Sequence, residues 1–324
     1  MKDKKSGLTI KAIAYWVFGA YLVTGMQAAA KLAAHYGLSI RESMSARYVG
    51  GLLLALAIMW VVRRSLRSVR SANWRLQTQR SVAVAVITFG VFTSAKLIGL
   101  GLSTAFGYSW PAFSQVVGWQ RWLGFNEKPD FRSALSVLLT FIGVGMLARA
   151  RLHPAASSSD FTVMVIGTGA VLLASVCSGY QANIAPKIKA VDQDPFTGLV
   201  WLMFIGALVM MVWSAGSWAL PGSSTTLPVI SITSVIVALA IPVCGTMGQF
   251  FYIQAQVEAP TRLLTPLTSI FQLPFALAMG HFAFGEAWPS FEEGLWMAVI
   301  IGGSLLNYLP MPNPGPSAKP QGSP

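Results

Sequence analysis

The chain has 324 residues, 54% of them hydrophobic and only 10% charged, with a formal net charge of +12. Its mean hydropathy is +0.59, whereas soluble domains carry about 25% charged residues, which argues against a water-exposed globule. The positive balance does not point to nucleic acid. Six arginines (Arg63, Arg64, Arg67, Arg70, Arg75 and Arg80) share one connector between apolar segments, where such charge sets topology and meets anionic lipid headgroups.

A helix needs about 20 mostly apolar residues to cross a hydrocarbon core about 30 Å thick. Read this way, the sequence predicts an all-α polytopic membrane protein with ten crossings. The first, 11–34, follows "MKDKK" and contains "QAAA", the outline of a cleavable signal. The run is long enough to span and carries polar Gln27 and Lys31, so it is read as a retained helix. The second, 44–62, carries Arg47 and leads into the arginine connector 63–81. Crossings three and four, 82–102 and 104–125, are divided by the Gly/Ser/Thr/Pro-rich "GLGLSTAFGYSWP" (99–111). The fifth is 133–150. Beyond the linker "RLHPAASSSD" (151–160) come 161–185, 196–217, 227–249, 260–284 and 293–309. Continuous apolar runs, without alternation, argue against a closed β-barrel. The Pro/Gly/Ser-rich tail, 310–324, predicts disorder.

Orientation follows from Lys and Arg in short loops. With the N-terminus in the cytoplasm, the arginine connector and Lys187 and Lys189 lie inside. Outside, 218–226 is uncharged and 285–292 holds Glu286 and Glu292. The positive-inside rule then places both termini in the cytoplasm. Arg149 and Arg151 fall at an outer helix end, where snorkelling is the expectation.

Five crossings lie on each side of the linker, and the two halves end alike. "GFNEKPDFRSALSVLLTFIGVGML" (124–147) and "FGEAWPSFEEGLWMAVIIGGSLL" (284–306) both place a Gly/Phe/Glu cluster before a Pro, a Phe and a Gly-containing apolar helix. An odd number of crossings per repeat inverts the second half relative to the first, a common transporter plan with the solute bound between repeats.

On "SWPAFSQVVGWQRWLGFNEKPDFRSALSVLLTFIGVGML" (109–147), "APTRLLTPLTSIFQLPFALAMGHFAFGEAWPSFEEGLWMAVIIGGSLL" (259–306) and "SARYVGGLLLALAI" (45–58), the chain resembles the drug/metabolite transporter superfamily in its ten-helix EamA-type branch. The resemblance implies two inverted five-helix repeats, 1–152 and 153–309. It also implies an inner-membrane permease, often an exporter of amino acids or related metabolites. Either Pro266 or Pro274 is the counterpart of Pro111 in the second half.

Ionisable groups in the hydrocarbon region are costly and functional by default. Lys31, Arg47 and Lys96 all fall toward the outer half of the membrane, and a shared basic lining there suits a carboxylate or other anionic group. Gln27, Gln115, Gln181 and Gln249 lie deep enough to line a pocket, while Asn183, Gln254 and Gln272 are further amides expected to face inward. Trp110 and Tyr252 offer stacking walls. Glu127 and Glu286 suit the orienting of a helix end or pairing with a cation, and His281 titrates in a useful range. Pro266 and Pro274 are read as bending the ninth crossing around a pathway, since a freed carbonyl needs a partner or a wet cavity. The small-residue steps Gly99/Gly101, Gly143/Gly145 and Gly302/Gly303 read as close helix packing.

Cys177 and Cys244 both fall in apolar spans, and nothing in the sequence spells a metal or cofactor site. No GxxxxGK[ST] loop is present, so ATP drive from this chain is not expected. The leading expectation is a secondary transporter, not an enzyme, moving a small zwitterionic or anionic metabolite by alternating access. A homodimer is compatible with it. Export of lipophilic cationic drugs is the alternative, and an intramembrane lipid-modifying enzyme, resting on Asp160, Asp192 and Asp194, is the alternative of a different class.

Overall fold

A computed structural model describes residues 9–62, 65, 69–125, 128–152, 158–191, 194–218, 232–259 and 261–306. Of these, 89% are helical and none is in a strand. The helices are α1 (Ile10–His35), α2 (Ile40–Ser45), α3 (Gly51–Val61), α4 (Trp74–Ile98), α5 (Leu100–Gly107), α6 (Trp110–Gly118), α7 (Phe131–Leu152), α8 (Ser158–Val191), α9 (Pro195–Trp218), α10 (Ile232–Glu258), α11 (Thr261–Phe284) and α12 (Phe291–Leu306). A π-turn, Ala46–Gly50, joins α2 to α3 into one rod.

Among the described residues, seven helical stretches are long and apolar enough to cross a membrane: Ile10–His35, Ile40–Val61, Trp74–Ile98, Phe131–Arg151, Asp160–Ala190, Pro195–Ala215 and Ile232–Glu258. Their outward faces carry Leu53, Trp60, Val212, Ile236 and Leu239, all exposed. Lipid is the solvent that makes such faces stable, because a helix satisfies its own backbone there.

Local chemistry starts the helices where the sequence allows. Thr9 caps α1 by accepting from the Ala12 N–H at 3.1 Å. Ser39 and Glu42 form a capping box on α2, and Asn73 accepts from the Leu76 N–H at 3.2 Å to start α4. Ser290 and Glu293 bond each other's backbone N–H at the head of α12, at 3.3 and 2.7 Å. Asp130 accepts from the Ser133 N–H at 2.9 Å ahead of α7. The Ser133 hydroxyl first, and this N–H second, hold the Asp130 carboxyl below the usual aspartate range.

Several boundaries differ from the sequence reading. α10 runs to Glu258, nine residues past the expected end at 249 and through the expected connector 250–259. α4 begins at Trp74, a full two turns before the expected start, so Arg75 and Arg80 ride on a helix and not in a connector. Arg80 is buried beside Gly198 of α9. α8 runs through Pro186 to Val191. The fourth expected crossing is two short helices, α5 and α6, broken at Tyr108–Ser109. The break has a plain cause: Pro111 has no N–H to give the Gly107 carbonyl. That carbonyl instead accepts from the Ser175 hydroxyl of α8 at 3.2 Å. Arg63, Arg64, Arg67, most of the linker and the tail lie outside the described residues.

The helices pack in a definite pattern. α1 lies against α10 and α4 against α8, while the π-turn and α3 meet α9, α5 meets α11 and α7 meets α12. Gly90 lets α4 reach α8, since a Cβ there would stand 2.3 Å from the Ala170 carbonyl oxygen. In the small-residue steps of the last helix pair only one member of each is used. Gly143 faces Ile300 and Gly303 faces Thr140, whereas Gly145 and Gly302 open on nothing within 4 Å. Five apolar clusters result among the described residues, two of them large. One joins Met26, Tyr48, Val84, Leu199 and Met203; the other joins Phe106, Val144, Leu147, Leu273 and Ile300.

Candidate functional site: a neutral cavity at a broken helix

A cavity of about 110 Å³ opens at the α5–α6 break, about midway along the surrounding helices. A single water needs only about 10–15 Å³ by this kind of measure, so there is room for a small organic solute. α1 contributes Gln27 and α4 contributes Val91. Thr104, Gly107, Tyr108 and Trp110 come from the break, Ala174, Ser175 and Ser178 from α8, and Thr268 and Gln272 from α11.

The lining is held by its own hydrogen bonds. The Tyr108 hydroxyl donates to the Thr268 carbonyl at 2.8 Å and lies 3.5 Å from the Gln272 side-chain oxygen. The Trp16 indole N–H donates to the Thr268 hydroxyl at 2.7 Å. Thr104 donates back to the Leu100 carbonyl at 2.8 Å, and the one Ser175 hydroxyl proton is shared between the Val171 carbonyl at 2.9 Å and the Gly107 carbonyl at 3.2 Å. Gln27 differs: it is 6% exposed, and its buried Oε1 has no hydrogen-bond partner. An amide left so in a membrane interior is costly without a visiting donor.

One end of the bundle is tied by charge. Glu286, in the turn after α11, pairs with Lys31 of α1. The same carboxylate accepts from the backbone N–H groups of Leu100 and Gly101, at 2.8 and 3.3 Å, and so caps α5. Gly99 makes this possible, with φ +92° and no side chain where the carboxylate sits. His281 donates from Nδ1 to the Glu286 carbonyl at 2.9 Å. Arg151 pairs with buried Glu293 across α7 and α12, so its charge is met by an acid and not by snorkelling. At the opposite end Lys11 pairs with Glu258 at 2.9 Å.

Of the residues singled out from sequence, the structure brings Gln27 and Trp110 to the cavity. The expected basic lining does not assemble. Lys96 is exposed on α4, Lys31 is engaged by Glu286, and Arg47 is 0% exposed within the packing of the π-turn, α9 and α10. Position along the helix is the reason: Lys96 stands in the last turn of α4, past the buried stretch 92–95. Gln115, Gln181 and Gln249 are half-buried and not among the cavity residues, and Tyr252 packs on Trp16 at 4.6 Å. Asn183 donates to the Ser114 carbonyl at 2.8 Å, fastening α8 to α6.

α11 does face the cavity, through Thr268 and Gln272. Pro274 is on its exposed side, and Pro266 lies in the same helix with its side chain outside the described residues. Glu127 and Asp192 also lie outside them. Tyr108, Thr104, Ser175, Ser178 and Thr268 were not anticipated as site residues. Their signal was the break itself, since a Pro-interrupted segment rich in Ser, Thr and Gly is where backbone leaves a helix to line a cavity.

No protein-family model matches the chain, and no curated protein matches it. In fold, fifteen solved chains match. One, described only as the crystal structure of a protein, aligns over 92% of this chain and 97% of its own length, with TM-score 0.59 and 16% identity. At that identity the likeness speaks for the fold alone.

Proposed function

We propose that the chain is a secondary transporter, a ten-crossing permease of the EamA type within the drug/metabolite transporter superfamily. It moves a small organic metabolite across the inner membrane by alternating access, with both termini cytoplasmic. The observation that carries this reading is the cavity at the α5–α6 break. It is bounded on one side by α1, α4, α5 and α6, and on the other by α8 and α11, so segments from both halves enclose it.

The pairing pattern supports two inverted repeats. Counting α2–α3 as one segment and α5–α6 as another gives five segments per half. Exchange of each segment with its counterpart five places on turns the α1–α10 pair into the α8–α4 pair. The α3–α9, α5–α11 and α7–α12 pairs map onto themselves. Two repeats related by a two-fold axis would give this exchange pattern, and an odd number of segments per repeat would lay that axis in the membrane plane. The uncharged lining moves the favoured substrate away from anions.

Counterflow in proteoliposomes tests the proposal. Vesicles are loaded with unlabelled amino acids, organic acids, nucleosides or polyols and offered the labelled form. Saturable exchange of at least one class is expected, reduced at least about tenfold in Gln272→Leu, since a lost hydrogen bond to solute leaves its partner unpaired. Uptake of every class at the leak rate of empty vesicles would contradict it.

A further inference from the structure

We infer that this cavity selects an uncharged solute rich in hydrogen-bonding groups, such as a polyol, an amide or a nucleoside. The inference rests on reading the cavity as the solute site. None of its lining residues is ionisable at neutral pH. A cation would find aromatic faces but no carboxylate, and an anion would find no Lys, Arg or His. In a low-dielectric interior an uncompensated charge of either sign is strongly disfavoured, and a zwitterion brings one of each.

The hydrogen-bonding balance sets the polarity of the ligand. The hydroxyl protons of Thr104, Ser175 and Ser178 are already given to helix carbonyls, at 2.8, 2.9 and 2.9 Å. Tyr108 gives its proton to the Thr268 carbonyl at 2.8 Å. Each of these oxygens keeps a lone pair, and Gln27 adds an unpartnered Oε1. Against them the amides of Gln27 and Gln272, the Trp110 indole N–H and the Thr268 hydroxyl, whose oxygen accepts from Trp16, supply the donors. The wall therefore offers acceptors and donors together, and it is matched by an uncharged ligand that presents both.

The test reads the charge preference of the cavity without knowing the natural solute. Ser178→Cys is made in a Cys177→Ala/Cys244→Ala background, with exposed Lys128→Cys in the same background as the solvent reference. Three methanethiosulfonates of similar size are used, bearing a hydroxyethyl, a sulfonatoethyl or a trimethylammonioethyl tail, and labelling is followed by intact mass. Relative to the reference position, the hydroxyethyl reagent is expected to react at least about tenfold faster than either charged one. Erythritol or adenosine is expected to slow it, and glycine or tetraphenylphosphonium is not. Equal rates for all three tails, or protection by a charged probe alone, would overturn the inference. If Ser178→Cys does not fold, Thr104→Cys replaces it with the same expectations. Absent counterflow with the tail selectivity intact would sink the transport reading only, whereas counterflow with fast sulfonatoethyl labelling would sink only this inference.

Discussion

Arg47 is 0% exposed, its Nε and Nη2 have no hydrogen-bond partner, and its Nη1 reaches only the Met203 sulfur at 3.6 Å. The Tyr48 ring, 5.6 Å away, gives partial compensation. A guanidinium cannot shed its proton, so it is a net cost in this conformation. Replacing buried ions by apolar residues of similar volume is often neutral or stabilising, by about 1–4 kcal/mol. Arg47→Met is therefore expected to hold or raise the unfolding midpoint in detergent, and a clear fall would refute this. Gly245 sits against the same side chain, since a Cβ there would be 2.6 Å from Nε. Gly245→Ala should cost about 1–3 kcal/mol, and most of that cost should vanish in the Arg47→Met background. Glu286 gives a second test at this scale. It serves both the Lys31 charge and the α5 backbone, so Glu286→Gln should lower the midpoint. The swap Lys31→Glu with Glu286→Lys should fail to restore it, because lysine cannot accept from Leu100 and Gly101 N–H groups. Full rescue by the swap would reduce Glu286 to half of an ion pair.

Individual helices were legible where one force dominates. Apolar length placed α1, α7 and α9 within a few residues of expectation. Boundaries set by polar caps were harder to read: α4 starts at Asn73 because an amide cap and buried Gln77 and Arg80 extend it past its apolar run. The site was less legible, because depth in a span is written in sequence but helical phase against neighbours is not. Lys96 is exposed in the last turn of α4 and Gln115 is not among the cavity residues, whereas Tyr108 and Thr268 line the cavity and carry no charge that marks them. Two element-scale outcomes follow. Gly90→Ala should destabilise by about 1–3 kcal/mol or more, since α4 would have to move off α8, and an unchanged midpoint would mean the crossing is looser than described. Asp130 acts through its lowered pKa. Its stabilisation is present above the ordinary aspartate value of about 3.9 and is lost as pH falls through the lower folded value. The midpoint difference between the protein and Asp130→Asn should thus shrink as pH is taken from about 6 to about 3. A difference that stays constant or grows would contradict the cap.

For the whole molecule, composition alone separated a membrane protein from a soluble one, and among the described residues seven helices are long and apolar enough to span. Of the remaining helices, α5, α6 and α12 are shorter, at 8, 9 and 16 residues, and α5–α6 and α11 carry cavity residues. What composition does not encode is which polar groups converge, because that depends on contacts such as Ser175 with the Gly107 carbonyl, far apart in the chain. The central claim is that this convergence is a solute site. Its most direct test is ligand stabilisation measured side by side in the protein and in Gln27→Leu/Gln272→Leu. A solute present at 100 times its dissociation constant should stabilise the folded protein by about 2.7 kcal/mol, a rise of several degrees in the unfolding midpoint. The account predicts that rise for an uncharged, hydrogen-bonding solute in the unmodified chain and its loss in the double variant, with the unliganded midpoints close together. The same rise in both proteins would place the solute elsewhere and contradict the account.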